Sequence, residues 1–231
     1  MNGRREAALA LAAYGAYLGV RAVVWNDRGR KRALENAARV VEAEQRLGMA
    51  VEGRVQELAM RWPRLVDVLN AGYAAGNVSF SVGWLLKLHR RIDPDFPRER
   101  TAAMVAFVGA LPFFALFPTA PPRMLEGFVD TMATRGLNLD HHHLVRFYNP
   151  IAAMPSHHVA FAVVTGFGLS RRARTPLGRM LARAYPALVA TTVVATGNHF
   201  TADVVAGAGL GVVARRMARR VAVAGVRRAS R

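Results

Sequence analysis

Apolar residues fall along the chain in long blocks separated by arginine clusters. Six of these blocks approach the ~20 residues that a bilayer-crossing helix needs: 7–25, 65–86, 101–117, 150–169, 177–196 and 202–224. The first is rich in small residues and, lacking a clear cleavage site, reads as a retained helix, not a removed signal. The second carries Asn70, Asn77, Ser79 and Ser81, so part of it is expected to face other helices. The last is interrupted by Arg215 and Arg216, and its apolar part is expected to end near Val213. Between the first two blocks, residues 26–64 mix Arg and Glu with Val40, Val41, Leu47, Val51, Val55 and Leu58 at helical spacing. That pattern predicts one or two amphipathic helices lying on a membrane or packed on the bundle. No internal repeat or low-complexity linker divides the chain. The expectation is therefore all-α: a polytopic membrane bundle of about six transmembrane helices with amphipathic interfacial helices, one domain over 1–231.

Composition sharpens this picture. The 231 residues are 52% hydrophobic yet carry a net charge of +17, and only Lys31 and Lys87 among the cations are lysines. No aromatic-interleaved basic patch or nucleic-acid motif accompanies the charge, so nucleic acid is not an expected partner. The absence of cysteine excludes disulfides and thiolate metal sites. The arginines instead mark sides. Arg90, Arg91, Arg98 and Arg100 follow the second block, Arg171 to Arg183 surround the start of the fifth, and Arg215 to Arg228 close the sixth. The positive-inside rule assigns these regions to the cytoplasm. Six spans then put 118–149 and the turn before residue 202 outside. Residues 26–64 would also lie outside although they are basic, which makes them the weakest part of the topology.

With that topology, the polar residues at the block edges converge on the outer face. They occur in Ala153-Met154-Pro155-Ser156-His157-His158-Val159 and in Gly197-Asn198-His199-Phe200-Thr201-Ala202-Asp203. Imidazoles and a carboxylate are costly at membrane depth, and by default they mark function. His199 and Asp203 are four apart, so a helix would place them on one face, where the carboxylate can orient the imidazole. Arg123 offers a planar fork for phosphate oxygens. Ser156 and the N–H groups opening the fourth block would add donors, with Ser156 also able to cap that helix and Pro155 suited to its first turn. Tyr148 and Asn149 are candidates for the pocket wall. The run Asp140-His141-His142-His143 invites a metal reading. Adjacent histidines do not share a helical face, and a polar outer loop is the simpler account.

Pro155-Ser156-His157-His158 and His199-x-x-x-Asp203, continuing into Val204-Val205-Ala206-Gly207, resemble the second and third motifs of the type 2 phosphatidic acid phosphatase (PAP2) superfamily. The stretch Phe117-Pro118-Thr119-Ala120-Pro121-Pro122-Arg123 is similar to the first-motif region of its inositol phosphorylceramide synthase-like branch. Two departures stand out. The Lys-x6-Arg-Pro first motif is absent, and Val193 stands where an arginine usually precedes the third-motif histidine. His157 holds a place usually taken by Gly or, in that branch, Leu. The resemblance implies catalytic His199, His158 and Asp203, with substrate contacts from Arg123, Ser156 and His157, and no metal or cofactor. It implies either a lipid phosphatase or a headgroup phosphotransferase in the plasma membrane, with the site on the extracytoplasmic side. Its expected partners are a lipid phosphate or phospholipid substrate and the membrane. A non-enzymatic transporter or scaffold is the third reading.

Overall fold

The computed structural model describes residues 2–229, with side chains described as far as Val221. Its helices are α1 (Gly3–Val24), α2 (Asp27–Arg46), α3 (Glu52–Met60), α4 (Pro63–Ala71), α5 (Asn77–Arg90), α6 (Phe96–Leu116), α7 (His157–Arg172), α8 (Pro176–Ala195) and α9 (Thr201–Ala229). A π-helical turn, Gly72–Gly76, joins α4 to α5 without a break. No extended sheet occurs among the described residues, only the single parallel bridge between Thr119 and Ala152.

Six rods therefore run up and down: α1, α4–α5, α6, α7, α8 and α9. At one end, Arg100 pairs with Glu6, Arg172 with Asp93 and Asp95, and Arg215 with Glu99. At the other end lie the C-termini of α1, α6 and α8 and the N-termini of α4, α7 and α9. There Tyr14 donates to the Phe147 carbonyl and Tyr17 accepts from Asn149 N–H. The arginines after α5, between α7 and α8 and along α9 thus share one end, and the motif-bearing segments the other. Residues 26–64 sit at the motif end.

The boundaries differ from expectation in instructive ways. Two rods, α1 and α6, are long and apolar enough to cross a membrane. α7 has 16 residues, because residues 150–156 run irregularly into the site before the helix begins. The helix of α9 runs on beyond Val213, where its apolar part is expected to end. It continues through Arg215, which is buried and donates to Glu99 and to the Val164 carbonyl, while Arg216 is exposed. Amphipathic α2 turns Ala33, Asn36, Ala37, Val40 and Glu44 inward, a mixed polar face, whereas Leu47, Val51 and Leu58 stay exposed. This region is therefore a polar cap on the bundle end. Asn70, Asn77 and Ser81 are buried as expected, and Ser79 is exposed.

Large apolar side chains point outward along the rods, among them Leu11, Val23, Phe113, Leu116, Leu188 and Val205. So wide an apolar surface implies a non-aqueous surrounding or a partner. Where α6, α7 and α9 meet, the interior is built from small residues. Ala102, Ala103 and Ala106 of α6, Ala160 and Val164 of α7, and Ala214 and Ala218 of α9 form one cluster. Small residues let backbones approach where apolar burial against lipid supplies little drive. Gly207 and Gly211, one turn apart on α9, carry this furthest. A Cβ on Gly207 would collide with the Ser156 carbonyl, and one on Gly211 would meet Val163 and the Ala160 carbonyl.

Gly207→Ala should destabilise the protein by ~1–3 kcal/mol, the usual cost of overpacking. Gly15→Ala, where a Cβ meets nothing, should not. Thermal unfolding in detergent checks both.

Candidate active site

Three chain segments meet at the motif end through backbone hydrogen bonds. Thr119 N–H donates to the Ile151 carbonyl at 2.9 Å, and Ala153 N–H donates back to the Thr119 carbonyl at 3.1 Å. Arg123 N–H donates to Gly197 at 2.8 Å, and Ser156 N–H donates to Asp203 at 3.0 Å. Residues 118–123, 151–156 and 197–203 are thus laced together before any side chain is considered. Gly197 permits the crossing: its φ is +70°, and a Cβ would lie 2.6 Å from the Gln56 amide nitrogen.

His199 does not lie on the helix with Asp203. α9 begins at Thr201, so His199 belongs to the turn before it. Asp203 instead reaches backward. Its Oδ2 accepts from Phe200 N–H at 3.0 Å, half of a capping box. The same oxygen takes the His199 Nδ1 hydrogen bond at 3.3 Å. The aspartate is fully buried. With Nδ1 committed to it, Nε2 is the nitrogen left free for chemistry.

His158 opens α7 and stacks on Tyr73, ring centroids 4.5 Å apart. Its ring stands 5.9 Å from that of His199, centroid to centroid. Tyr73 lies in the π-helical turn, and Asn77, just beyond it, donates to the His158 carbonyl at 2.9 Å. Tyr185 donates in turn to Asn77 at 2.6 Å. π-Turns recur at functional sites, and here one turns an aromatic ring against the histidine.

His157, Tyr148, Asn149 and Asn198 join Arg123, His158 and His199 around a cavity of about 90 Å³. His157 lies between Phe107, Phe114 and Tyr17, and its Nε2 is 3.1 Å from the Phe107 carbonyl. It therefore works as an aromatic wall held by α6 while one edge reaches the cavity. Ser156 is fully buried as the N-cap of α7, accepting from Val159 N–H at 3.4 Å, and it is not part of the cavity lining. Pro155 precedes this cap and so lies outside the first turn. Val193, buried without exposure, packs in the apolar core, and its carbonyl accepts from Asn198 and His199 N–H.

Arg123 is the cation of the cavity, and its fork is already engaged. Nη1 and Nη2 each donate to the Asp140 carboxylate at 3.0 Å, Nη1 also to Asp130 at 3.2 Å, and Nε to Asn198 at 3.2 Å. Burial works against the guanidinium charge, but the Asp140 hydrogen bonds and charge outweigh it and hold its pKa above the ordinary value. Burial raises the Tyr148 pKa as well; Arg123 opposes this and Asp140 adds to it. Tyr148 is thus a neutral phenol, donating to the Leu139 carbonyl at 2.6 Å. Gln56 clamps the same loop from α3, exchanging two 2.9 Å hydrogen bonds with the Val129 backbone. His141, His142 and His143 are exposed, and their ring nitrogens lie within 4.8 Å of one another.

Most of the predicted residues come together here: Arg123, His157, His158 and His199 face the cavity, with Asp203 behind His199. Sequence reasoning missed Tyr73, Asn198, Asp130 and the Asp140 carboxylate on Arg123. Asn198 is adjacent to a motif residue, a signal that could have been followed. An outer-loop aspartate carries no spacing signal of its pairing.

The chain belongs to the PAP2 superfamily, whose family model matches residues 38–217. Membership implies phosphatase or phosphotransferase chemistry, and with the two long apolar helices it points to membrane association. Neither a curated protein nor a solved structure gives a match.

Arg123→Ala would strand Asp130 and Asp140 and remove the anchor of their loop. Limited proteolysis should then cut within 127–149, where the wild type resists.

Proposed function

We propose that this protein is an integral membrane lipid phosphatase that hydrolyses a lipid phosphomonoester or diphosphate through a phosphohistidine. The observation that carries this reading is the His199–Asp203 hydrogen bond, which leaves Nε2 free beside a cavity shared with His158 and Arg123. In this scheme, Nε2 of His199 attacks phosphorus as the P–O bond to the lipid alkoxide breaks. His158, protonated for this step, gives its proton to that leaving oxygen. Asp203 stabilises the charge that develops on the His199 ring. His158 then takes a proton from water, whose oxygen attacks phosphorus and breaks the P–N bond to release phosphate. Arg123 and the N–H groups at the start of α7 would neutralise the phosphoryl oxygens. The N-terminus of α9 is a poor second cradle, because its N–H groups already bind carboxylates. The scheme calls for no metal.

All six rods would cross the plasma membrane, with the arginine-rich end in the cytoplasm and the site at the outer leaflet. The exposed apolar side chains and the arginine-bearing ion pairs at the end opposite the site support this placement.

A second reading is transfer of a phospho-headgroup to a lipid alcohol, as in the inositol phosphorylceramide synthase-like branch. It is favoured by Val193, which fills with a buried methyl-bearing side chain the place where an arginine usually stands. The two readings differ in whether water or an alcohol meets the phosphohistidine.

Purified protein in detergent with EDTA, given lipid phosphates, phosphatidylinositol and lipid alcohols, separates them. Phosphate release absent from His199→Ala supports hydrolysis; a new phospholipid without phosphate release supports transfer. His199→Ala should abolish turnover, and His158→Ala should lower kcat by ~10²–10⁴. Near-wild-type rates in either would refute the assignment.

Asp140 occupies the fork that a phosphate would take, so substrate must displace it. Asp140→Asn should lower KM, as an amide cannot form the same charge-assisted bidentate pair. An unchanged or raised KM would exclude this competition.

A further inference from the structure

The first turn of α9 is closed by residues from outside its own sequence. Helix starts leave N–H groups that a Ser, Thr, Asp or Asn at the N-cap usually helps to satisfy. Here the N-cap position is Phe200, which has no acceptor. Asp203 reaches back to Phe200 N–H. Thr201 N–H donates to Glu52 Oε1 at 2.6 Å, and the Thr201 hydroxyl donates to the same oxygen. Ala202 N–H donates to Glu44 Oε1 at 2.6 Å. Both glutamates are buried, at 2% and 3% exposure, and their carboxyls accept from neighbouring N–H groups of the same turn. Glu44 Oε2 and Asp203 Oδ1 are buried without a partner. The titratable groups facing Glu44 are Glu52 from α3 and Asp203 from α9, with His199 beyond Asp203. Carboxyls packed so closely cannot all be ionised without cost, and a bound proton relieves it.

We propose that Glu44 and Glu52 are positioning residues for His199, a buried carboxyl pair that holds the first turn of α9 and, through it, the Asp203–His199 hydrogen bond. The effect on turnover builds on His199 as nucleophile; the effect on structure does not. α2 and α3, which carry these glutamates, become part of the catalytic apparatus through their carboxyls. Glu44 supplies an acceptor to Ala202 N–H, a role that a glutamine could serve and an alanine could not.

The charge state supports this arrangement. Burial raises the Glu44 pKa, the Ala202 N–H lowers it, and the charges of Glu52 and Asp203 raise it again, to about 7 from 4.5. The folded protein therefore binds this proton more tightly than the unfolded chain does. The associated stability is full below pH 4.5 and is lost as pH rises toward 7.

The test uses the full chain in detergent, as wild type, Glu44→Gln, Glu44→Asp and Glu44→Ala. Thermal unfolding between pH 5 and 8, a window set by the two pKa values, reads the proton without any substrate. The wild-type Tm should fall with rising pH more steeply than that of Glu44→Gln; parallel curves would overturn the raised affinity of Glu44 for its proton. Nitrogen-15 histidine spectra read the positioning. The Nδ1–H signal of His199, assigned by its loss in His199→Ala, should survive in Glu44→Gln. It should shift or vanish in Glu44→Ala and in Glu44→Asp, whose shorter side chain withdraws from Ala202. An unshifted signal in either variant would overturn the positioning role. With an accepted substrate, Glu44→Ala should lose kcat by ~10–100-fold with KM unchanged, because small misplacements of reacting groups are costly, and glutamine should restore it. Absence of turnover in every protein, with the spectral pattern intact, would count against the phosphatase reading and support the carboxyl pair.

Discussion

Asp203 has no exposed surface, and its polar atoms serve three residues at once. Oδ2 holds both the His199 ring and the Phe200 amide, and its carbonyl accepts from Ser156. One residue thus sets the tautomer of a histidine, starts α9 and ties the start of α7 to it. A carboxylate can be kept in so dry a place only because these donors surround it. The crossing of α7 over α9 at Gly207 follows from the same requirement. A side chain there would push Ser156 away and break the hydrogen bond that joins the two motifs.

Polar satisfaction, more than apolar burial, organises the motif end. Asn36 donates to the Pro118 carbonyl, Asn70 to Thr131 and Gln56 to Val129. Each links a helix of the first part of the chain to the loop between α6 and α7. At the opposite end the Glu99–Arg215 pair plays a comparable part, and Gly168 leaves it room on α7. Between these ends the rods meet through alanine and glycine, a packing that allows close approach but specifies little by itself. The buried hydrogen bonds supply the register that small side chains lack.

Arg123 illustrates how charge is rationed. Its fork is shared by Asp140, Asp130 and Asn198, so the cavity does not present an unopposed cation. The loop bearing these aspartates is anchored by the arginine it covers. In the proposed scheme, binding an anion and opening that loop would be coupled through a single guanidinium, since the donors serving one acceptor cannot serve another.

The rods themselves were legible from runs of apolar residues, because burial of a helix against lipid or neighbours demands such runs wherever it occurs. The grouping of the arginines after α5, between α7 and α8 and along α9 at one end was legible for a related reason, whereas the basic residues of 26–64 lie at the other. His158, His199, Asp203 and Arg123 could also be read, as unusual polar residues in a fixed motif order. Exact helix starts could not. α9 opens at Thr201 because Glu44 and Glu52, from a segment that reads only as amphipathic, close it from about 150 residues away, a pairing that no local pattern encodes. The same holds for Arg215, which reads as an interruption of the apolar block yet is buried opposite Glu99. Sequence determined which residues are too polar or too reactive to be mere packing. Tertiary structure alone decided which of them satisfy one another, because a buried hydrogen bond depends on distance in space and not on separation along the chain.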